Sequence, residues 1–363
     1  MYKWQWTHEA DGKEITETKF LMIASNDIQG DVTWQHGSPH MPFRMADTIS
    51  GLADEPGNPN ALIQSNGYNN KEVSLLKAGD KDSEGNAIMH SFWAPEIHEI
   101  DGRLTILFMA GYGNTWSNGK SVYMQLKQDA DGHDLDPADP DNWTVPTPIY
   151  RNDASLLNGN KQLAATASGG VGMSLDMTYF QDADGRSYYA WQQLGATYIA
   201  TMDPKDPAHV TSSPVRIVTP EYAWNAAIAE GPNVTLRDGK LYLMFSGSGV
   251  GKTYTTGLAV ADASGTDLTD PASWTVLNYP IQKSGPFNGE MQLGTGHGMW
   301  SEDEDGNQIY VFHAYATKNL GSVNAAGRDM FVRRVHWAAD GMPVFDMSSS
   351  EELASKTVSV TVK

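Results

Sequence analysis

The chain has 363 residues and a mass of 39.6 kDa, long enough for one large or two ordinary domains around a real apolar core. Twenty-five Lys and Arg against 44 Asp and Glu leave a formal charge of −19, which repels nucleic acid phosphates and anionic lipid and leaves a neutral oligosaccharide or polysaccharide as the easier partner. The absence of cysteine excludes disulfides, thiolate metal sites and a cysteine nucleophile. No apolar run reaches membrane-spanning length, and MYKWQWTHEADG lacks the charged start and apolar core of a signal peptide, so secreted and cytoplasmic locations both stay open.

Strand signals begin at once. EADGKEITETKFLMIAS reads as a hairpin turn at Gly12 feeding a strand, and the pattern returns in EIDGRLTILFMAG (Gly102), DADGRSYYAWQQ (Gly185), LRDGKLYLMFSGSG (Gly239) and DEDGNQIYVFHAY (Gly306). Five copies, each interval long enough for a four-stranded sheet, predict an all-β chain folded as a five-bladed β-propeller. A second repeat, DPDNWTVPTPI at 139–149 and DPASWTVLNYPI at 270–281 with an echo in GDVTWQHG around Trp34, predicts outer-edge turns in which a Trp caps the sheet. Helical periodicity is confined to a turn or two of EYAWNAAIAE at 221–230. No low-complexity linker interrupts the chain, so residues 1–350 are expected to form one closed domain. Residues 351–363, with the alternating SKTVSVTVK, are expected either to close the last blade or to begin a following domain.

Propellers gather their functional groups where inner strands meet at the axis. Asp176 in MSLDMTYFQDADG and Glu230 in AEGPNVTLRDGKLYL each follow apolar neighbours and stand nine residues ahead of their turn glycines. Equal spacing puts them at equivalent positions of two blades, and two converging carboxyls are the minimum for glycosidic bond hydrolysis. Against this stands the plainer reading of both as structural acids. Glu96 in FWAPEIHEIDGR lies only six residues ahead of Gly102, which separates it from the inner-strand pair and makes it an expected anchor, hydrogen-bonding backbone between blades. His297 in GTGHGMW fits a substrate contact or a satisfied core histidine, and Arg328 and Arg333 in GRDMFVRRVHW fit partners of an axial carboxylate or strand decoration. SGSGVGKTY lies between two strands with no helix to hold phosphate. DADGHDLDPADPDN lacks the order of an EF-hand and reads as solvated surface.

WAPEIHEIDGRLTILFMAG, SLDMTYFQDADGRSYYAWQ, AEGPNVTLRDGKLYLMFS and GTGHGMWSEDEDGNQIYVFHA, in that order, resemble the second- to fifth-blade motifs of glycoside hydrolase family 43. That family consists of inverting five-bladed propellers including α-L-arabinofuranosidases, arabinanases and β-xylosidases. FRMADTISGL at 43–52, and TPEYAWN ahead of AEGPNV, are most similar to the arabinofuranosidase branch. The resemblance implies release of terminal α-L-arabinofuranosyl residues from arabinan- or arabinoxylan-type oligosaccharides. It implies Glu230 as general acid, Asp176 as the modulator of its pKa held ionised by Arg328, Trp93 in the pocket wall, and His297 facing a water-filled channel or a calcium ion at the axis, with no cofactor required. It also implies a base aspartate opening blade one, yet counting back from Gly12 through MYKWQWT meets no Asp. The base is therefore expected at or before Met1 in a truncated first blade, with Asp27 and Asp31 of SNDIQGD as weaker substitutes. A non-catalytic carbohydrate-binding propeller is the alternative that the missing base keeps open.

Overall fold

The structure, a computed structural model, describes residues 1–25, 39–52, 72–113, 119–157, 173–315 and 328–351. The chain lays down its strands sheet by sheet. β1 (Tyr2–Ala10), β2 (Lys13–Ile23), β3 (His40–Ala46) and β4 (Val73–Lys77) form the first sheet, and β5 (Ile88–Ile100), β6 (Arg103–Tyr112), β7 (Lys120–Gln125) and β8 (Thr147–Pro148) the second. The third holds β9 (Tyr150–Arg151), β10 (Leu175–Gln181), β11 (Ser187–Gln193), β12 (Ala196–Asp203), β13 (Asp206–Val210) and β14 (Val215–Val218). β15 (Ala229–Arg237), β16 (Lys240–Gly247), β17 (Thr255–Asp262) and β18 (Thr275–Val276) make the fourth. β19 (Gly285–Phe287), β20 (Glu290–Glu302), β21 (Gln308–Tyr315) and β22 (Asp329–Arg334) make the fifth, followed by the pair β23 (His336–Trp337) and β24 (Pro343–Val344). Around the axis β5 packs on β10, β10 on β15, β15 on β20 and β20 on β1.

The second strands β6, β11, β16 and β21 read as continuous apolar runs because neighbouring blades cover both of their faces. Side chains alternate across a strand, and that alternation divides each run between two cores. Ile106 and Phe108 pack with Leu21 and Phe43 of blade one, whereas Leu107 packs with Tyr189 and Trp191 of blade three. Tyr188 joins Leu241, Leu243 and Phe245 of blade four, and Tyr242 and Met244 join Tyr310 and Phe312 of blade five. Ile309 and Val311 then meet Met1, Phe20 and Leu52 of blade one. Five apolar joints thus close a five-bladed β-propeller.

The recurring Asp-Gly turns are of two kinds. Asp11-Gly12, Asp101-Gly102 and Asp238-Gly239 have positive φ at both residues, the form a two-residue hairpin needs to match strand twist. In 182–186 and 303–307 the first Asp side chain instead accepts the backbone N–H groups two and four residues on. The same self-bonded loop recurs at Asp82 and Asp129, so the acid-rich segment after Asp129 opens on a carboxylate that holds its own turn. At the outer edges Asp139 and Asp270 cap short 3-10 turns, and the following Trp143 and Trp274 are buried, donating their indole N–H groups to the carbonyls of Pro137 and Leu268. The echo at Trp34 and the tail from residue 352 lie outside the described residues. Of EYAWNAAIAE, one 3-10 turn forms, Ala223–Asn225.

The joint between blades five and one depends on Phe20, which is 1 % exposed. Phe20→Ala is expected to lower the unfolding free energy by about 3–5 kcal/mol, read as a lower urea midpoint.

Candidate active site

Four inner strands break their pairing as they enter the axis. β10 shifts register between Leu175 and Thr178, β15 between Glu230 and Asn233, β20 on either side of Gly296 and β5 on either side of Trp93. One residue at or beside each break is left-handed: Asp176 (φ 58°), Gly231 (φ 59°), His297 (φ 49°) and Ala94 (φ 48°). Bulges of this kind re-aim side chains, and left-handed non-glycine residues persist where their surroundings over-determine them. Trp93, Asp176, Glu230 and His297 all stand nine residues ahead of a turn glycine, so the four breaks occupy equivalent places in four blades.

The two predicted acids come together. Asp176, 2 % exposed, accepts the backbone N–H of Gly231 at 2.9 Å, beside Glu230 in the chain. Glu230 Oε1 accepts the hydroxyl of Tyr254 at 2.7 Å. Burial pushes both carboxyls up to about 7. For Asp176 the Gly231 N–H works against burial, the Glu96 charge adds to it and the Arg328 charge opposes it. For Glu230 the Asp176 charge adds to burial, while Tyr254, His297 and Arg328 oppose it. Two acids in one dry site disfavour each other's ionisation.

Arg328 favours the ionised form of both acids. Its guanidinium donates to His313 Nε2 at 2.9 Å, and its charge is the smallest of the named influences on either acid. The His313 ring stacks on Tyr254 at 5.5 Å and 5°, and burial followed by the Arg328 charge holds it well below the usual histidine range. The His297 ring lies 6.1 Å from that of His313, the backbone N–H of His297 donates to Ser246 Oγ at 2.6 Å, and its ring rests against Gly231, where a Cβ would come within 3.2 Å of Nδ1. Burial lowers its pKa. Arg333 packs away from the acids, its guanidinium 3.7 Å from the Phe287 ring centroid and bonded to the Phe345 carbonyl and Gln292.

Glu96 requires a correction. It lies on the inner strand β5 and is 3 % exposed: pairing is unbroken from Glu96 to the Gly102 turn, so the shorter count places it past the break at Trp93 on the same strand rather than off the strand. It does join blades, but through side chains rather than backbone: Oε2 accepts from His98 Nε2 at 2.8 Å and from Asn233 Nδ2 at 3.1 Å. Asn233 Oδ1 in turn accepts the backbone N–H of Trp300 at 2.9 Å, so one amide ties blades two, four and five. Farther along the same strands a cavity of ≈ 310 Å³ is lined by residues including Tyr2, His98, Glu99, Tyr179, Gln181 and Thr235.

At the opening of β1 the Met1 amino nitrogen sits 2.8 Å from Met299 Sδ. Asp27 and Asp31 lie outside the described residues. Calcium takes six to eight oxygen ligands, and among the described residues no group of three or more His, Asp or Glu side chains is placed to hold a metal ion. Tyr254, His313 and Asn233 escaped the sequence reading. Tyr254 ends SGSGVGKTY, whose sequence suggests only a phosphate loop, and Asn233 lies in AEGPNVTLRDGKLYL, where Glu230 is the residue that stands out.

Paired buried carboxyls at the axis of a five-bladed propeller define a glycosidase-type site. The chain belongs to Glycosyl hydrolases family 43, whose sequence pattern matches residues 66–343. It is 29% identical over 316 residues to an extracellular exo-α-(1→5)-L-arabinofuranosidase of Streptomyces avermitilis, covering 84% of this chain and 56% of that protein. It is also 29% identical over 267 residues to α-L-arabinofuranosidase 43 of Humicola insolens, covering 70% and 49%. The chain thus spans about half the length of these curated relatives. Its fold is shared with a crystal structure of an α-L-arabinofuranosidase from Lactobacillus brevis, at TM-score 0.66, 23% identity and coverage of 94% and 92%.

The raised carboxyls carry a stability cost with a definite sign. In the unfolded chain Asp176 and Glu230 ionise near their ordinary values of 3.8 and 4.5, and in the folded chain near 7. Between those values the native state binds more protons, so stability falls as pH rises from about 4 to about 7 and then levels. The Asp176→Asn/Glu230→Gln double variant removes this slope. Its melting temperature relative to the unmodified protein is expected to rise between pH 4.5 and pH 7.5.

Proposed function

We propose that the chain is an α-L-arabinofuranosidase that releases terminal arabinofuranosyl residues from arabinan- or arabinoxylan-type oligosaccharides with inversion. The observation that carries this reading is the axial pair, in which Glu230 has its pKa raised to about 7 by burial and by the charge of Asp176. A carboxyl that is protonated near neutral pH can donate its proton to the departing glycosidic oxygen. Asp176, anchored by the Gly231 N–H, modulates that proton and orients the acid's neighbourhood. Trp93 and His297 are proposed to contact the sugar and Arg328 to balance the charge of the pair. Names of relatives in the same family support the sugar.

A second reading is a carbohydrate-binding propeller without turnover, because among the described residues β1 brings no carboxylate to the axis to activate water. Hydrolysis of p-nitrophenyl α-L-arabinofuranoside separates the two. Glu230→Gln is expected to lower kcat by about 10²–10⁴-fold with KM little changed. Sugar binding without turnover in either form would leave the binding reading standing alone.

A further inference from the structure

We infer that Tyr254 is a positioning residue that decides which oxygen of Glu230 carries the acidic proton. The inference rests on the reading of Glu230 as the general acid. The Tyr254 hydroxyl donates to Oε1 at 2.7 Å, so that oxygen already accepts a hydrogen bond and is disfavoured as the seat of the carboxyl proton. Among the described residues no donor reaches Oε2, and Oε2 is not among the fully enclosed polar atoms lacking partners. The proton therefore resides on Oε2, the oxygen open to a bound ligand.

Tyr254 is suited to hold this one direction. It is fully buried, its ring lies parallel to His313 at 5.5 Å, and His313 is fixed by Arg328. Gly296 admits the ring: a Cβ there would come within 2.4 Å of it. The hydroxyl is thus oriented by a cage of blade-five groups while it acts on an acid of blade four. The charged and titratable groups facing Glu230 are Asp176 from β10, His297 from β20, Arg328 ahead of β22, and, through Tyr254, His313 from β21; Glu96 of β5 acts on Asp176. Among the described residues none of the others donates a hydrogen bond to Oε1, so the phenol is the contact whose removal changes that oxygen alone.

The test titrates the Glu230 carboxyl by ¹³C NMR in carboxyl-labelled protein, with Glu230→Gln supplying the assignment, so that no turnover is needed. A donor to the ionised oxygen stabilises the charged form. Tyr254→Phe keeps the stacked ring and is expected to raise the Glu230 pKa by about one unit. In the kinetic profile the alkaline limb moves upward with it, and kcat falls about tenfold at constant KM. Site-specific 3,5-difluorotyrosine at position 254, a stronger donor, is expected to move both limb and titration downward, and it serves if Tyr254→Phe does not fold. An unmoved Glu230 titration in both proteins overturns the inference, whatever happens to melting temperature. Retention of full activity by Glu230→Gln would instead overturn the assignment of the acid and leave the NMR result to be read by itself.

Discussion

Two carboxyl groups share one dry, narrow axis, and much of the architecture is arranged to tolerate that. Neither Asp176 nor Glu230 has water enough to ionise freely; the charge of Asp176 further resists ionisation of Glu230, and that of Glu96 resists ionisation of Asp176. What the site supplies in place of water is one backbone N–H, one phenol and, from blade five, one guanidinium and two imidazoles. The price is stability above pH 7. Such a site persists because the apolar joints between blades hold it from outside, where they do not depend on protonation.

The strand breaks are the means by which a regular sheet delivers these groups. A strand of unbroken pairing would point Asp176 and Glu230 along its pleat, one face toward each neighbouring blade, where apolar side chains already fill the space. An extra left-handed residue turns the chain so that the side chain leaves the plane of the pleat and faces the axis. Below that level pairing resumes, and Asn233 bridges to Glu96 and to the Trp300 backbone. The cavity lined by Tyr179 and Thr235 follows farther along the same strands.

The blades were legible because their signals are local. Turn glycines and apolar runs such as LTILFMAG state both the hairpin and its burial on two faces, and the equal spacing of Asp176 and Glu230 survives folding because both lie beyond the same kind of bulge. Glu96 was misplaced because a carboxyl was expected only at the break: closer to its turn glycine, it stands where regular pairing has resumed on the same inner strand, the level that Asn233 occupies in blade four. Tyr254 and Asn233 were invisible because their importance lies in partners more than 20 residues distant, Glu230 for the one and Glu96 for the other. A hydroxyl in a turn and an amide in a strand give no sign of such partners in their own neighbourhoods.

The joint between blades five and one differs from the other four in bringing together strands from opposite ends of the chain order. Met1, Phe20 and Leu52 meet Ile309 and Val311 there, and Lys3 Nζ reaches the Asp303 carbonyl at 2.7 Å while the Ile49 N–H reaches Glu304 Oε1 at 2.8 Å. In chain order, then, Asp176 and Glu230 belong to blades that can dock before this seam exists, whereas His297, His313 and Arg328 arrive with the last blade. The blade that closes the ring is thus also the one that brings a guanidinium and two imidazoles of lowered pKa to the acids of blades three and four.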